Sequence, residues 1–394
     1  MKQFIKSLLI SLLVGVPVVI GAIALMYINT NRQPEESIEI HFTENTMELD
    51  QKTEEILTDE TVSDEIIATT EIQAAENTEN LVQPAEKESV TLSFAGDVHF
   101  SEQYIEKYKQ NGISAFADEE MLRLMQNADL FMLNHEFVFS TRGEAMEDKE
   151  YTLRNDPQYV EILQDLGTDV VSIANNHILD FGQEAFLDTL DTLNNAEIAY
   201  AGGGRTLEEA SAPVVQTIHG QTFAVFSATR VSPSYDWYAS KNRPGIFQTY
   251  DAKALNAAIL EAENHYDHTI VFVHWGIERN EMPEEYQRTL AKGYIDAGAD
   301  LVIGCHPHVL QGFEYYEGVP IVYSLGNYLF GNRTGETLLL NANFSPDGEL
   351  QIELIPCERS QGVLKRITAP ETLFDHLTEL SFGVSVSENG MLVP

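Results

Sequence analysis

The stretch DLVIGCHPHVLQG (residues 300–312) decides how this chain is read. Leu301-Val302-Ile303 is an apolar run of the length and composition of a buried strand, and it is followed at once by His306 and His308 on either side of Pro307. Proline stops the strand, so both imidazoles stand at its carboxyl end. The question is whether other strands end in the same way.

They do. TLSFAG (91–96), DLFMLN (129–134), DVVSIA (169–174), FAVFSA (223–228), TIVFVH (269–274) and IVYSLG (321–326) also read as strands. PQYVEILQDLG, QEAFLDTLDTLNNA, AKALNAAILEAEN and PEEYQRTLAKGYIDAGA read as helices with Pro or acidic starts and Gly or Asn stops. This alternation defines an α/β domain. In ETLLLNANFSPDGELQIELIPC an SPDG turn separates two strand-like runs, a hairpin expected to extend or cover a sheet.

Polar residues of ligand type recur where these strands end. Asp97 and His99 follow the first, Glu136 the second, and Asn175-Asn176-His177 with Asp180 the third. His274 closes a later one, before the His306/His308 pair. Loops at the carboxyl ends of strands in an α/β sheet face a common crevice, so residues distant in sequence can converge. Carboxylate, imidazole and amide oxygen together suit Mn, Fe or Zn. Two adjacent ions need a carboxylate between them, for which Glu136 is the candidate, while Asn176 offers a carbonyl and His274, His306 and His308 offer nitrogens.

The ordered set GDVHF, NHEF, NNHILDFG, HWGIE, GCHPHVLQG and SLGNYLF resembles the motifs of the CapA family, poly-γ-glutamate capsule synthesis proteins related to the calcineurin-like metallophosphoesterases. The resemblance spans roughly residues 90–335. It implies a metallophosphatase-like layered α/β/β/α sandwich with two divalent ions. It assigns one ion to Asp97, His99, Glu136 and His308, and the other to Glu136, Asn176, His274 and His306. His177 falls where the phosphoesterases keep a general acid, and Asp180, three residues on, can orient it. Glu136 stands where those enzymes usually carry Asp, one methylene shorter. His135 occupies a position where an apolar residue is expected and receives no role.

The rest of the chain sets the context. Residues 1–32 carry Lys2 and Lys6 and then no charge from Ser7 to Asn31, long enough to span a bilayer. Ala22-Ile23-Ala24 fits a signal-peptidase site, but the apolar run continues through Ile28, favouring an uncleaved anchor. The flanking charges place the remainder outside the cell as a single-pass membrane protein. Residues 33–89, rich in Glu, Thr, Ser, Asn and Gln, read as a disordered acidic spacer. Residues 1–89 hold 17 acids and 5 bases, which leaves −27 of the total −39 on residues 90–394 and argues against a nucleic-acid partner.

Among the scarce cations near the predicted loops, Arg230, Arg243 and Lys241 are candidates for gripping an anionic substrate. Asn327 and Ser324 either line the crevice or satisfy backbone groups. Trp275 is expected to pack, and Cys305 and Cys357 either pair or remain buried thiols. Three functions fit: a metal-dependent hydrolase, a non-catalytic subunit binding an anionic polymer such as poly-γ-glutamate beside membrane synthase subunits, or a surface phosphoesterase unrelated to capsule.

Overall fold

The computed structural model describes residues 87–331, 334–360 and 362–394. The expected anchor and the spacer as far as residue 86 lie outside the described residues. Among the described residues no helix is long and apolar enough to cross a membrane. Lys87 and Glu88 are already tied to the folded unit, through a Lys87–Asp267 ion pair at 2.6 Å and a Glu88 N–H donating to the His219 carbonyl.

In chain order the strands of the two large sheets are β1 (Val90–His99), β2 (Leu130–His135), β3 (Val170–Ser172), β4 (Ala199–Ala201), β5 (Val214–Ile218), β6 (Gln221–Thr229), β7 (His268–His274), β8 (Leu301–Cys305), β9 (Phe313–Tyr316), β10 (Val319–Val322), β11 (Asn327–Phe330), β12 (Gly335–Phe344), β13 (Leu350–Ser360) and β14 (Val363–Arg366). One sheet runs β14-β13-β12-β1-β2-β3-β4, with β11 beside the end of β1; the other runs β9-β10-β8-β7-β6-β5. All seven runs read as strands are present, divided between the two sheets. The SPDG hairpin extends the first sheet, because β12 pairs antiparallel with β1.

Side-chain alternation makes the layers. Ile270 and Phe272 of β7 point into a core shared with Leu92, Phe94, Leu130 and Met132 of the first sheet. Val271 and Val273 point the other way, onto Leu255 and Ile259 of the helix Lys253–Glu263 and Ala291 and Tyr294 of the helix Glu285–Asp296. The first sheet is covered on its outer face by Met121, Met125, Ile162, Phe186 and Leu190 from helical segments. The result is helices, sheet, sheet, helices. Each fully buried Phe or Leu in these layers contributes about 2 kcal/mol of transfer free energy.

The helix predicted from Pro283 begins at Glu285, because Glu284 is spent on a capping box with Gln287. Gln287 then reaches Gln311 at 3.0 Å, anchoring the end of the segment 300–312. Cys305 and Cys357 are both free and buried, and belong to different cores, one between the sheets and one outside the first. Trp275 is fully buried and donates to the Tyr323 carbonyl at 2.9 Å, a packing residue as expected.

Candidate metal centre

The carboxyl ends of β1 and β2 in one sheet meet those of β7 and β8 in the other. The alignment of β1 is interrupted there. Its register slips between Phe94 and Asp97, and a Cβ on Gly96 would lie 1.9 Å from the Gly326 oxygen. Only glycine permits this approach, and the slip turns Asp97 toward the second sheet. Asp97 Oδ2 accepts from the His306 backbone N–H at 3.3 Å and lies 3.2 Å from His308 Nδ1.

Asn134 is the hub on β2. Its amide nitrogen donates to Asp97 Oδ1 at 2.8 Å and to Glu136 Oε2 at 3.1 Å, while its oxygen accepts from Asn175 at 3.2 Å. On β7, His274 Nε2 sits 2.8 Å from Asn176 Oδ1 and its Nδ1 sits 3.3 Å from Cys305 Sγ. His306 and His308 have φ of 99° and 59°, left-handed backbone that a non-glycine residue adopts at a cost of about 1–3 kcal/mol. Asn327 secures the second of them: Oδ1 is 2.8 Å from His308 Nδ1, and the amide nitrogen donates to the His308 carbonyl.

Two sets of ligand atoms each lie within 4.8 Å of one another: Asp97, His274 and Cys305, and Glu136, His306 and His308. Glu136 Oε1 and His306 Nδ1 are buried without a hydrogen-bond partner. Leaving such groups unmatched costs about 1–3 kcal/mol each, and coordination to a cation would satisfy both. The donor set therefore fits a divalent ion.

The grouping differs from the one the resemblance implies. His306 and His308 both fall with Glu136, Cys305 joins Asp97 and His274, and His99 stands outside both sets, half-buried with its ring against Phe137 and Phe330. Burial, then the His177 charge, lowers the His99 pKa to about 4. His135 is fully buried against Phe137 and Phe139 with both ring nitrogens unpartnered, and burial lowers it to about 3.

Charge follows from the packing. Burial pushes Asp97 upward, but His308 and Asn134 outweigh it and hold its carboxyl below the usual value. Burial and the Asp97 charge instead drive Glu136 well above it. Burial, followed by the charges of neighbouring histidines, keeps His274 well below and His306 at about 3. For His308 burial is overcome by Asp97, which raises it.

Beside this cluster His177 Nδ1 lies 2.8 Å from Asp180 Oδ2, the i to i+3 contact expected. Lys149 completes the group with bonds to Asp180 and the Asn176 carbonyl, its Nζ 3.2 Å from His177 Nδ1 and 5.2 Å from the Trp237 ring centroid. Lys149 and Asn134 have no assigned role in the sequence. Lys149 lies in a polar loop without periodicity, whereas Asn134 adjoins the ligand-type residues His135 and Glu136. Arg230 is half-buried, with its backbone N–H donating to the His274 carbonyl at 2.8 Å. Arg243 is spent on the Tyr235 and Tyr238 carbonyls.

These features define a two-sheet α/β protein with a buried, metal-competent cluster where its sheets adjoin. The family model of the bacterial capsule synthesis protein PGA_cap matches residues 91–332, and this chain belongs to that family. It is 31% identical over 312 residues to the PGA biosynthesis protein CapA of Bacillus subtilis strain 168, covering 77% of this chain and 81% of that one. The capsule biosynthesis protein CapA of Bacillus anthracis is 28% identical over 313 residues, with 77% and 75% covered. Among solved structures, the Thermus thermophilus sulfate thiohydrolase SoxB aligns with a TM-score of 0.40 at 14% identity, over 70% of this chain and 57% of that one.

Proposed function

We propose that this chain is a membrane-anchored, extracellular accessory protein of capsule production that acts hydrolytically on an anionic polymer of the poly-γ-glutamate kind through a two-metal centre. The observation that carries the reading is the meeting of the two ligand sets, with Glu136 Oε1 and His306 Nδ1 buried and unmatched. Its family membership and its similarity to the PGA biosynthesis protein CapA of Bacillus subtilis support the polymer.

Asp97, Glu136, Asn176, His274, His306 and His308 would hold the ions, with Cys305 as an additional donor beside His274 and His99 as the outlying member of the set. Bound divalent ions supply Lewis acidity toward a carbonyl or phosphoryl oxygen and lower the pKa of water. Asp180 accepts from His177 Nδ1 and stabilises the imidazolium, whose Nε2 proton would pass to a leaving group. Asn134 and Asn327 hold Asp97, Glu136 and His308 in place before any substrate arrives.

The test is elemental analysis of the full chain, joined to hydrolysis of γ-glutamyl polymer and of phosphoesters. The expected result is stoichiometric metal, lost in the His306→Ala/His308→Ala double variant, with polymer cleavage that His177→Ala abolishes. Metal retained by the double variant, or a metal-loaded protein inert on polymer, overturns the reading. Cleavage of phosphoesters alone assigns a phosphoesterase unrelated to capsule instead.

A further inference from the structure

Acids outnumber bases 62 to 23 in this chain, and most of its described cations are drawn to carboxylates. Arg288 chelates Glu314 at 2.9 and 3.0 Å, and Lys149, Arg142 and Arg205 are all paired. Arg154 and Arg359 are instead held by backbone carbonyls, whereas the Arg230 guanidinium is held by aromatic rings. It lies 3.6 Å from the Tyr250 ring centroid and 5.2 Å from that of Tyr286, and among the described residues it makes no ion pair.

Its position is set by the candidate centre. Thr229 pairs in register with His274, so Arg230 is the first residue beyond the strand end, bonded through its backbone to the His274 carbonyl. Tyr286 is fixed by accepting from the Gly276 N–H at 2.7 Å, two residues past His274. Tyr250 is 45% exposed, which opens this stack to solvent. Aromatic contact occupies the face of a guanidinium and restrains it, while the N–H edge stays available for a carboxylate fork.

We propose that Arg230, held by Tyr250 and Tyr286, is a carboxylate clamp that binds a second anionic group of the molecule engaged at the metal centre. The inference rests on the proposed metal-centre reading. A γ-linked glutamyl chain repeats a free carboxylate on every residue, so one unit can lie at the centre while another reaches Arg230. A simple phosphate monoester offers no second anion. The clamp therefore selects a polycarboxylate, and it supplies local positive charge within a domain whose net charge would repel one.

The test measures, by calorimetry on the full manganese-loaded chain in detergent, binding of a short γ-linked glutamyl oligomer and of the same oligomer with its α-carboxylates amidated. Arg230→Gln is expected to weaken the carboxylate form about tenfold or more and leave the amidated form unchanged. Arg230→Lys should stay close to Arg230→Gln, because an ammonium has neither the fork nor the planar stack. Tyr250→Phe should bind as wild type, and Tyr250→Ala should lose part of the affinity. Equal affinity of wild type and Arg230→Gln, or an equal loss for both oligomers, overturns the clamp. If the His306→Ala/His308→Ala variant still binds and Arg230→Gln still weakens that binding, the clamp stands and the metal-centre reading falls. If wild type binds neither oligomer, both fall.

Discussion

Glu136 Oε1 and His274 Nε2 face each other at 3.8 Å, both side chains fully buried and contributed by different sheets. The gap is too long for a hydrogen bond and short enough for both atoms to reach one cation. Without an ion the carboxyl oxygen has no hydrogen-bond partner, and burial with the Asp97 charge raises its pKa well above normal. A carboxyl raised in the folded state disfavours folding at neutral pH relative to an amide, since the unfolded chain ionises freely. Glu136→Gln is therefore expected to raise the metal-free melting temperature at pH 7, with a gain that shrinks as pH falls toward the ordinary carboxyl range. The same variant should lose the upward shift that manganese or zinc gives wild type, worth about 2.7 kcal/mol at a hundredfold excess over Kd. Thermal melts with and without metal check both signs.

Asn327 grips His308 through the ring nitrogen and the carbonyl. Asn327→Ala should weaken metal binding about 10–100-fold, the usual effect of removing a ligand's orienting partner. Asn327→Asp, which keeps the acceptor, should recover most of it. Competition against a fluorescent chelator measures the difference.

Lys149 and Asp180 form a buried ion pair, at 15% and 0% side-chain exposure. Removing one partner strands the other, so Lys149→Met should cost about 3 kcal/mol. The Lys149→Met/Asp180→Asn double variant should cost less than the sum of the two single changes. A urea-unfolding double-mutant cycle reports the coupling.

His268 lies outside the candidate centre, stacked on Phe223 with Nε2 2.8 Å from Gln221 Oε1, and burial lowers its pKa to about 4. The folded value is below the unfolded value, so the unfolded chain binds the extra proton first. Its contribution is complete above about pH 6.5 and is lost as pH falls toward about 4. His268→Gln should make the melting temperature less steep over that window, which scanning calorimetry at stepped pH resolves.

Much of this was legible because apolar periodicity is a local signal. The runs at 91–96, 129–134, 269–274 and 300–305 form strands in both reading and structure, since each buries on both faces. Strands such as Ala199–Ala201 and Asn327–Phe330 were not visible, being too short or too mixed to show a period. The hydrogen bond from His177 to Asp180 was foreseeable because three residues across a turn fix their own spacing. The role of Lys149 was not, because a polar loop becomes a buried ion pair only when packed against residues some thirty positions away.

The sequence by itself determined the α/β alternation, the strand-end placement of Asp97, Glu136, His274, His306 and His308, and membership of an ordered motif set. These are properties of short segments, carried by side-chain pattern and by residues such as Pro307 that stop a strand. Tertiary structure decided which of those residues become neighbours. The division into two sheets brought Glu136 opposite His274, the slip at Gly96 turned Asp97 toward His308, and the fold stacked Arg230 on Tyr250. Those relations span tens to hundreds of residues, and they exist only once the two inner faces have packed together to exclude water.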